Sequence, residues 1–146
     1  MTQATTIPRI GQEMPDGTIY AGLSPETNQP MYTMPADAPL TMTFNQAKGY
    51  AAQLDAHGHT DWRVPTKAEM NVLFNNRAAI GGFKIVPDYE ASAWYCSNSL
   101  VASFYPFTLP FGYQNPVIQC AVQRFRDGSQ DYYDSETHTT SLRCVR

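Results

Sequence analysis

The spacing of hydrophobic positions predicts a helix from Phe44 to about His57. It begins behind a capping box made by Thr43 and Gln46, and Gly58 supplies a stop at its C-terminal end. Its apolar positions recur at helical spacing and form one face: Phe44, Ala47, Ala51 and Leu54. The segment is therefore predicted to be an amphipathic support for a core.

A second helix is predicted from Thr66 to about Arg77. Thr66 and Glu69 form another capping box, and the pair Gly81 and Gly82 closes the segment. The buried face of this helix is predicted to carry Met70, Leu73 and Phe74. Met70 is accordingly interpreted as core packing and not as a metal ligand.

Alternating positions predict strands near both ends of the chain. Asp16–Leu23 and Gln29–Pro35 are predicted to pair as a hairpin, because a turn rich in Pro, Glu and Asn separates them. Near the C-terminus, IQCAVQRF and SLRCVR flank a turn at Asp127–Gly128 and predict two or three antiparallel strands. Strands at both ends with helices between them predict an α+β domain.

Length and charge narrow the class of protein. The 146 residues fit a single domain, with a polar tail predicted at residues 1–9 and the folded domain at residues 10–146. The 10 basic and 13 acidic residues give a net charge of −3 without a basic run, which argues against nucleic acid as a partner. The N-terminus shows no secretory signal, so we expect a cytoplasmic, virion-associated or non-classically exported protein.

Residues 91–123 contain no Asp, Glu, Lys or Arg but are rich in aromatic residues. The stretch is long enough to cross a bilayer, but helix-breaking residues interrupt it, so membrane insertion is not predicted. These residues are Pro106, Pro110, Gly112, Asn115 and Pro116.

The same helix-breaking residues predict a surface loop that presents aromatic rings. Exposed Tyr and Phe on a well-held loop make a binding surface, because they offer contact area at little cost in rotamer entropy. The alternative is that these rings close the core over the second sheet. The predicted ligand-binding residues are Tyr95, Ser97, Asn98, Phe104, Tyr105, Phe107, Phe111, Tyr113, Asp131, Tyr132, Tyr133 and Asp134.

Four segments occur in an order that is typical of one protein family: His59–Met70 (HTDWRVPTKAEM), Tyr95–Ser99 (YCSNS), Phe125–Gln130 (FRDGSQ) and Leu142–Arg146 (LRCVR). Together they resemble the Lcl C-terminal-like domain family, within the C-type lectin-like fold, over roughly residues 11–146. The resemblance implies two helices packed on a mainly antiparallel sheet with long loops. Cys96 and Cys120 depart from the pattern, because the resemblance leads us to expect aromatic residues there.

The composition of residues 97–113 suggests a source of sequence diversity. Lys, Glu, Gln, Met and Trp are all absent, so every residue has a codon that ends in C, and Asp131–Ser135 passes the same test. Adenine-directed mutagenesis of Asn codons would leave this bias. It resembles the variable region of diversity-generating retroelement proteins, whose diversified residues lie near the C-terminus of a C-type lectin-like scaffold.

The sequence does not favour a metal site or a reactive cysteine. His57 and His59 flank the flexible Gly58 and are interpreted as a solvated helix end, so no metal is predicted, and no calcium pattern is present. The three cysteines allow one disulfide with a free thiol, or three reduced thiols. Cys144, in a predicted strand, suits a buried apolar thiol better than a reactive one.

We therefore expect a non-catalytic, cofactor-free module that binds a protein or glycan target on a phage or cell surface, with its oligomeric state undetermined. Trp62, Arg63 and Cys144 would belong to the rigid scaffold. One alternative is an assembly subunit of a phage or cell envelope. Another is an oxidoreductase of the formylglycine-generating type, which shares the wider fold and uses a cysteine pair.

Overall fold

The computed structural model describes residues 7–86, 90–103 and 116–146. Two antiparallel sheets and three helices make up an α+β architecture, as predicted. Strands β1 (Ile19–Leu23) and β2 (Pro30–Thr33) form one sheet, and β3 (Trp94–Ser103), β4 (Val117–Arg124) and β5 (Gln130–Asp134) form the other. The helices are α1 (Phe44–Gln53), α2 (Lys67–Asn75) and α3 (Arg77–Ile80).

Both predicted capping boxes are present. The Thr43 and Thr66 side chains accept hydrogen bonds from the backbone of Gln46 and Glu69, whose side chains accept from the capping residues in return. The predicted end of the first helix is wrong by four residues. The backbone is already extended at Leu54, so the helix has ended before Gly58 is reached.

The second helical segment is divided in two. At Asn76 the backbone leaves helical geometry, with φ −106° and ψ 16°, and α3 then makes a single further turn to Ile80. Gly81, with φ 78°, ends that turn, as its position in the sequence predicted. Met70 is 1% exposed and packs in the core, also as predicted.

Strand β3 lies between two hydrophobic clusters. Successive side chains of a strand point to opposite faces, so Trp94 and Cys96 join a cluster with Phe44 and Trp62. Tyr95 points the other way and joins a second cluster with Phe125, at 4.5 Å between ring centroids. The buried half of β3, Trp94–Ser97, which we call inner β3, therefore contributes side chains to both clusters.

The C-terminal segment connects the two halves of the fold. Val145 exchanges both backbone hydrogen bonds with Arg63, and Arg146 exchanges both with Tyr32. Leu142 and Cys144 enter the first cluster, while Val145 enters the second. Two of the four segments that carry the family resemblance, DWRVPT and LRCVR, are therefore direct neighbours.

Among residues 7–86, 90–103 and 116–146, no helix has the length and apolar character needed to cross a membrane.

Candidate ligand-binding surface

Two of the predicted binding residues lie in the interior. Tyr95 is 0% exposed and Ser97 is 1% exposed, so their prediction as surface residues is wrong. The reason is the position of inner β3 in the core. The Tyr95 hydroxyl donates to Asp37 and accepts from the Lys84 backbone, and the Ser97 hydroxyl donates to the Ala121 carbonyl at 2.7 Å.

The other predicted residues within the described ranges lie nearer the surface. Asn98, Asp131 and Tyr132 are exposed, whereas Tyr133 and Asp134 are half-buried. Tyr133 packs on the Trp94 ring at 5.4 Å between centroids and therefore also belongs to the scaffold. Five predicted residues lie outside the described residues: Phe104, Tyr105, Phe107, Phe111 and Tyr113.

An irregularity in β3 separates its buried half from its exposed half. Cys96 pairs with Val122, but the next pair in the ladder is Leu100 with Cys120, so β3 carries two more residues than β4 across this step. Within it, the Asn98 backbone donates to the Pro65 carbonyl at 2.6 Å. Extra residues of this kind bend a strand and redirect it.

The N-terminus of α2 holds this bend in place. The Ser99 hydroxyl accepts a hydrogen bond from the Lys67 backbone N–H at 2.8 Å, which satisfies one of the amides left unpaired at the start of a helix. The bend of β3 and the start of α2 therefore fix each other.

Beyond the bend, the β3–β4 ribbon exposes apolar side chains. Leu100 is 48% exposed, Val101 39% and Ile118 41%. Leu100 lies opposite Cys120, and Ala102 lies opposite Ile118, so strand alternation puts Leu100 and Ile118 on one face. We call Leu100 and Ile118 the outer ribbon surface, whereas the exposed Val101 and Tyr132 lie on the opposite face of the sheet.

An ion pair between the half-exposed Arg63 and the buried Glu69 lies at the start of α2. Glu69 is 0% exposed, and its two carboxylate oxygens accept from the Arg63 guanidinium at 2.5 and 2.6 Å. The Ser24 hydroxyl donates to the same carboxylate at 2.6 Å. Burial alone would raise the pKa of Glu69, but the hydrogen bonds from Arg63, Ser24 and Thr66 hold it at about 2.

The buried Arg143 joins segments that are distant in sequence. Its Nε donates to Asp37 at 2.8 Å, its Nη1 donates to the carbonyls of Met34 and Gly81, and its guanidinium lies 4.0 Å from the Phe83 ring centroid. Asp37 also accepts from Tyr95, and burial followed by the Asp37 charge raises the pKa of Tyr95 far above its ordinary value. No local sequence pattern predicts this network, because Asp37 and Arg143 are 106 residues apart in the chain.

The histidines do not lie at a helix end, contrary to prediction, because α1 stops at Gln53. His59 contacts the Asp16 carboxylate at 2.7 Å, and His57 contacts the Asp16 backbone carbonyl at 2.9 Å. Hydrogen bonds from Thr18 and then His59 hold the pKa of Asp16 well below its usual range. No cluster of metal ligands occurs in the described parts of the chain.

The three cysteines are free and buried. Burial raises the pKa of the thiols of Cys96 and Cys144 to about 12 and that of Cys120 to about 11. A reactive thiol requires an exposed site that lowers its pKa. The cysteines therefore have the environment of core residues.

Comparison with known proteins agrees with this arrangement of neighbouring motifs. No curated protein matches the chain. The model of the Lcl C-terminal domain matches residues 22–146, which is all of the chain except its first 21 residues. The chain therefore belongs to the Lcl C-terminal domain family.

Proposed function

We propose that this domain is a non-catalytic ligand-binding module that uses the outer ribbon surface to contact a protein or glycan. The observation that carries the proposal is the exposure of Leu100 and Ile118 on one face of the β3–β4 ribbon beyond the bend, whereas Trp94, Tyr95 and Cys96 before the bend are buried. Apolar side chains grouped in this way on a rigid support are typical of recognition surfaces.

The framework behind this surface supports the proposal. Inner β3 is fixed between two cores, and Ser99 ties the bend to α2. A surface that is already ordered loses less conformational entropy on binding, so more of the contact energy appears as affinity. We also propose that the domain has the C-type lectin-like fold, which the sequence resemblance implies.

We also propose that the sequence of this surface is diversified. The codon bias covers residues 97–113 and Asp131–Ser135. Ser97 is buried and hydrogen-bonded to the Ala121 carbonyl, so changes there would disturb the scaffold, whereas Leu100 is 48% exposed and should tolerate substitution. We expect the flanking DNA to contain an adenine-rich copy of this region and a reverse transcriptase gene, and the lack of both would contradict diversification.

The binding proposal is tested with the immobilised domain, a glycan array and a library of displayed surface proteins. The double variant Leu100→Ser with Ile118→Ser should weaken binding to any hit by tenfold or more, because each side chain is a large part of the contact. Leu40→Ser is the matched control, since Leu40 is 73% exposed but lies before α1, away from the ribbon. Binding that survives the double variant, or the absence of any hit, would contradict the proposal.

Sedimentation of the unliganded domain distinguishes recognition from assembly. A monomer leaves the outer ribbon surface available to an external target. A stable oligomer that the double variant dissociates would instead support an assembly subunit.

A further inference from the structure

A pocket of about 290 Å³ lies where the turn before β1 meets β2 and the C-terminal segment. Its lining combines apolar side chains with two opposite charges: Met14, Pro15, Tyr32, Asp16 and Arg146. It shares no lining residue with the outer ribbon surface. Met14, Pro15 and Asp16 also precede residues 22–146, the region that matches the family, so family membership does not imply this pocket.

The negative side of the pocket is a turn that is held in position before any ligand binds. The Gly17 backbone N–H donates to the Met14 carbonyl at 2.9 Å. Thr18 donates to the Asp16 carboxylate twice, from its backbone at 2.9 Å and from its hydroxyl at 2.7 Å. Gly17 has φ 89°, and a Cβ at this position would lie 2.7 Å from the His57 ring, so the turn requires glycine.

The positive side of the pocket is held by paired backbone and by an ion pair. Arg146 exchanges both backbone hydrogen bonds with Tyr32, each at 2.8 Å. The Arg146 guanidinium donates to the Asp61 carboxylate from Nε at 2.7 Å and from Nη2 at 3.1 Å. Within the described residues its third nitrogen, Nη1, makes no hydrogen bond, so it can donate to a ligand.

The two opposite charges are near each other but are not paired. Hydrogen bonds to Asp61 raise the pKa of Arg146, and the negative charge of Asp16 raises it further. No ion pair joins Asp16 to Arg146 in the part of the chain that the structure describes, because Asp16 pairs with His59. The Asp16 and Arg146 side chains remain 36% and 22% exposed. Both can therefore form a further charged hydrogen bond with a ligand in the pocket.

The rest of the lining is apolar. Met14 and Tyr32 are half-buried and form this part of the wall together with Pro15. The volume of about 290 Å³ suits a small molecule, since it lies at the lower end of the range for ligand pockets. Apolar walls between charged groups favour a ligand that has a hydrocarbon part as well as charges.

We propose that this pocket binds a free amino acid as a zwitterion, with Asp16 pairing with its ammonium group, Arg146 Nη1 pairing with its carboxylate, and its apolar side chain packing on Met14 and Tyr32. This site goes beyond the binding surface proposed above and does not depend on it. A ligand with a single charge is attracted by one of the two groups and repelled by the other, so it binds more weakly. Because both groups are partly exposed to water, we expect millimolar affinity.

The test is an NMR titration of the ¹⁵N-labelled domain with leucine, methionine and phenylalanine, up to the solubility limit of each. At least one amino acid should shift the backbone amide signals of Asp16, Tyr32 and Arg146 in a saturable way. The N-acetyl derivative and the carboxamide of that amino acid each remove one charge. Both should bind about fivefold more weakly or worse, because one charged hydrogen bond is lost and one repulsion is gained.

Two substitutions separate ligand binding from the structural ion pair. Arg146→Gln should weaken binding by about tenfold or more, whereas Asp61→Asn should not weaken it, because it leaves the guanidinium with more free donors. Asp55→Asn is the matched control, since Asp55 is exposed and lies outside the pocket lining. No saturable shift with any of the three amino acids, undiminished binding of the singly charged derivatives, or equal losses in Arg146→Gln and Asp61→Asn would overturn the proposal.

Discussion

Glu69 shows how one residue can be predicted in one role and missed in another. The sequence predicted it as the third helical residue of a capping box, and the structure confirms that role. It also receives the Arg63 guanidinium and the Ser24 hydroxyl in a fully buried position. A local sequence pattern can predict a cap, but a contact to Ser24, 45 residues away, depends on the tertiary fold.

Glu69→Gln should lower the free energy of unfolding at pH 7 by about 2 kcal/mol, because a neutral amide replaces the buried carboxylate that accepts hydrogen bonds from Arg63, Ser24 and the Thr66 backbone. Urea unfolding followed by circular dichroism measures the change. Glu136→Gln is the control, since Glu136 is exposed. Equal effects of the two substitutions would mean that the ion pair contributes nothing.

The same carboxylate makes stability depend on pH. The pKa of Glu69 is about 2 in the folded protein against an ordinary value of 4.5, so its contribution is fully present above pH 5 and is lost as the pH falls towards 2. The loss should reach at most about 3 kcal/mol. Urea midpoints measured between pH 6 and pH 3 should fall less steeply for Glu69→Gln than for the wild type, and parallel curves would contradict this origin.

At the scale of the elements, local sequence patterns predicted where the helices begin better than where they end. Both helices begin at the capping boxes read from the sequence, since a cap is built from residues three apart. The end of α1 was predicted too late. Gly58 can end a helix, but the backbone is already extended at Leu54, four residues earlier. The bend in β3 was not predicted, because its partners, Pro65 and Lys67, belong to a different part of the sequence.

Ser99→Ala tests whether the start of α2 and the bend in β3 depend on each other. Loss of the only side-chain acceptor for the Lys67 N–H in the described contacts should cost about 1 kcal/mol of stability, the usual cost of a lost helix cap. Amide hydrogen exchange at Lys67 should also accelerate. Thr139→Ala, at an exposed position, is the control, and unchanged exchange at Lys67 would show that water replaces the serine without loss.

At the scale of the whole molecule, the sequence predicted the α+β class, the N-terminal hairpin and the family, because these depend on periodicity and on motif order. The site was predicted only in part. Tyr95 and Ser97 turned out to be core, since composition alone does not show where a strand leaves the interior.

The three thiols report on the integrity of the complete fold. Cys96, Cys120 and Cys144 all lie in the first cluster, and their raised pKa values keep them protonated at pH 8. A disulfide reagent such as dithiobis-nitrobenzoate should therefore release almost no product from the native domain within minutes, and three equivalents in denaturant. Rapid labelling of one thiol in the native state would indicate a reactive cysteine and favour the oxidoreductase alternative.

The bend at Ser97–Ser99 gives protein engineers a natural boundary. Every side chain before it, from Trp94 to Cys96, is buried, whereas Leu100 and Ile118 are exposed to water. Engineered changes at Leu100 and Ile118 should therefore alter what the ribbon presents to solvent and leave the packing of the interior intact.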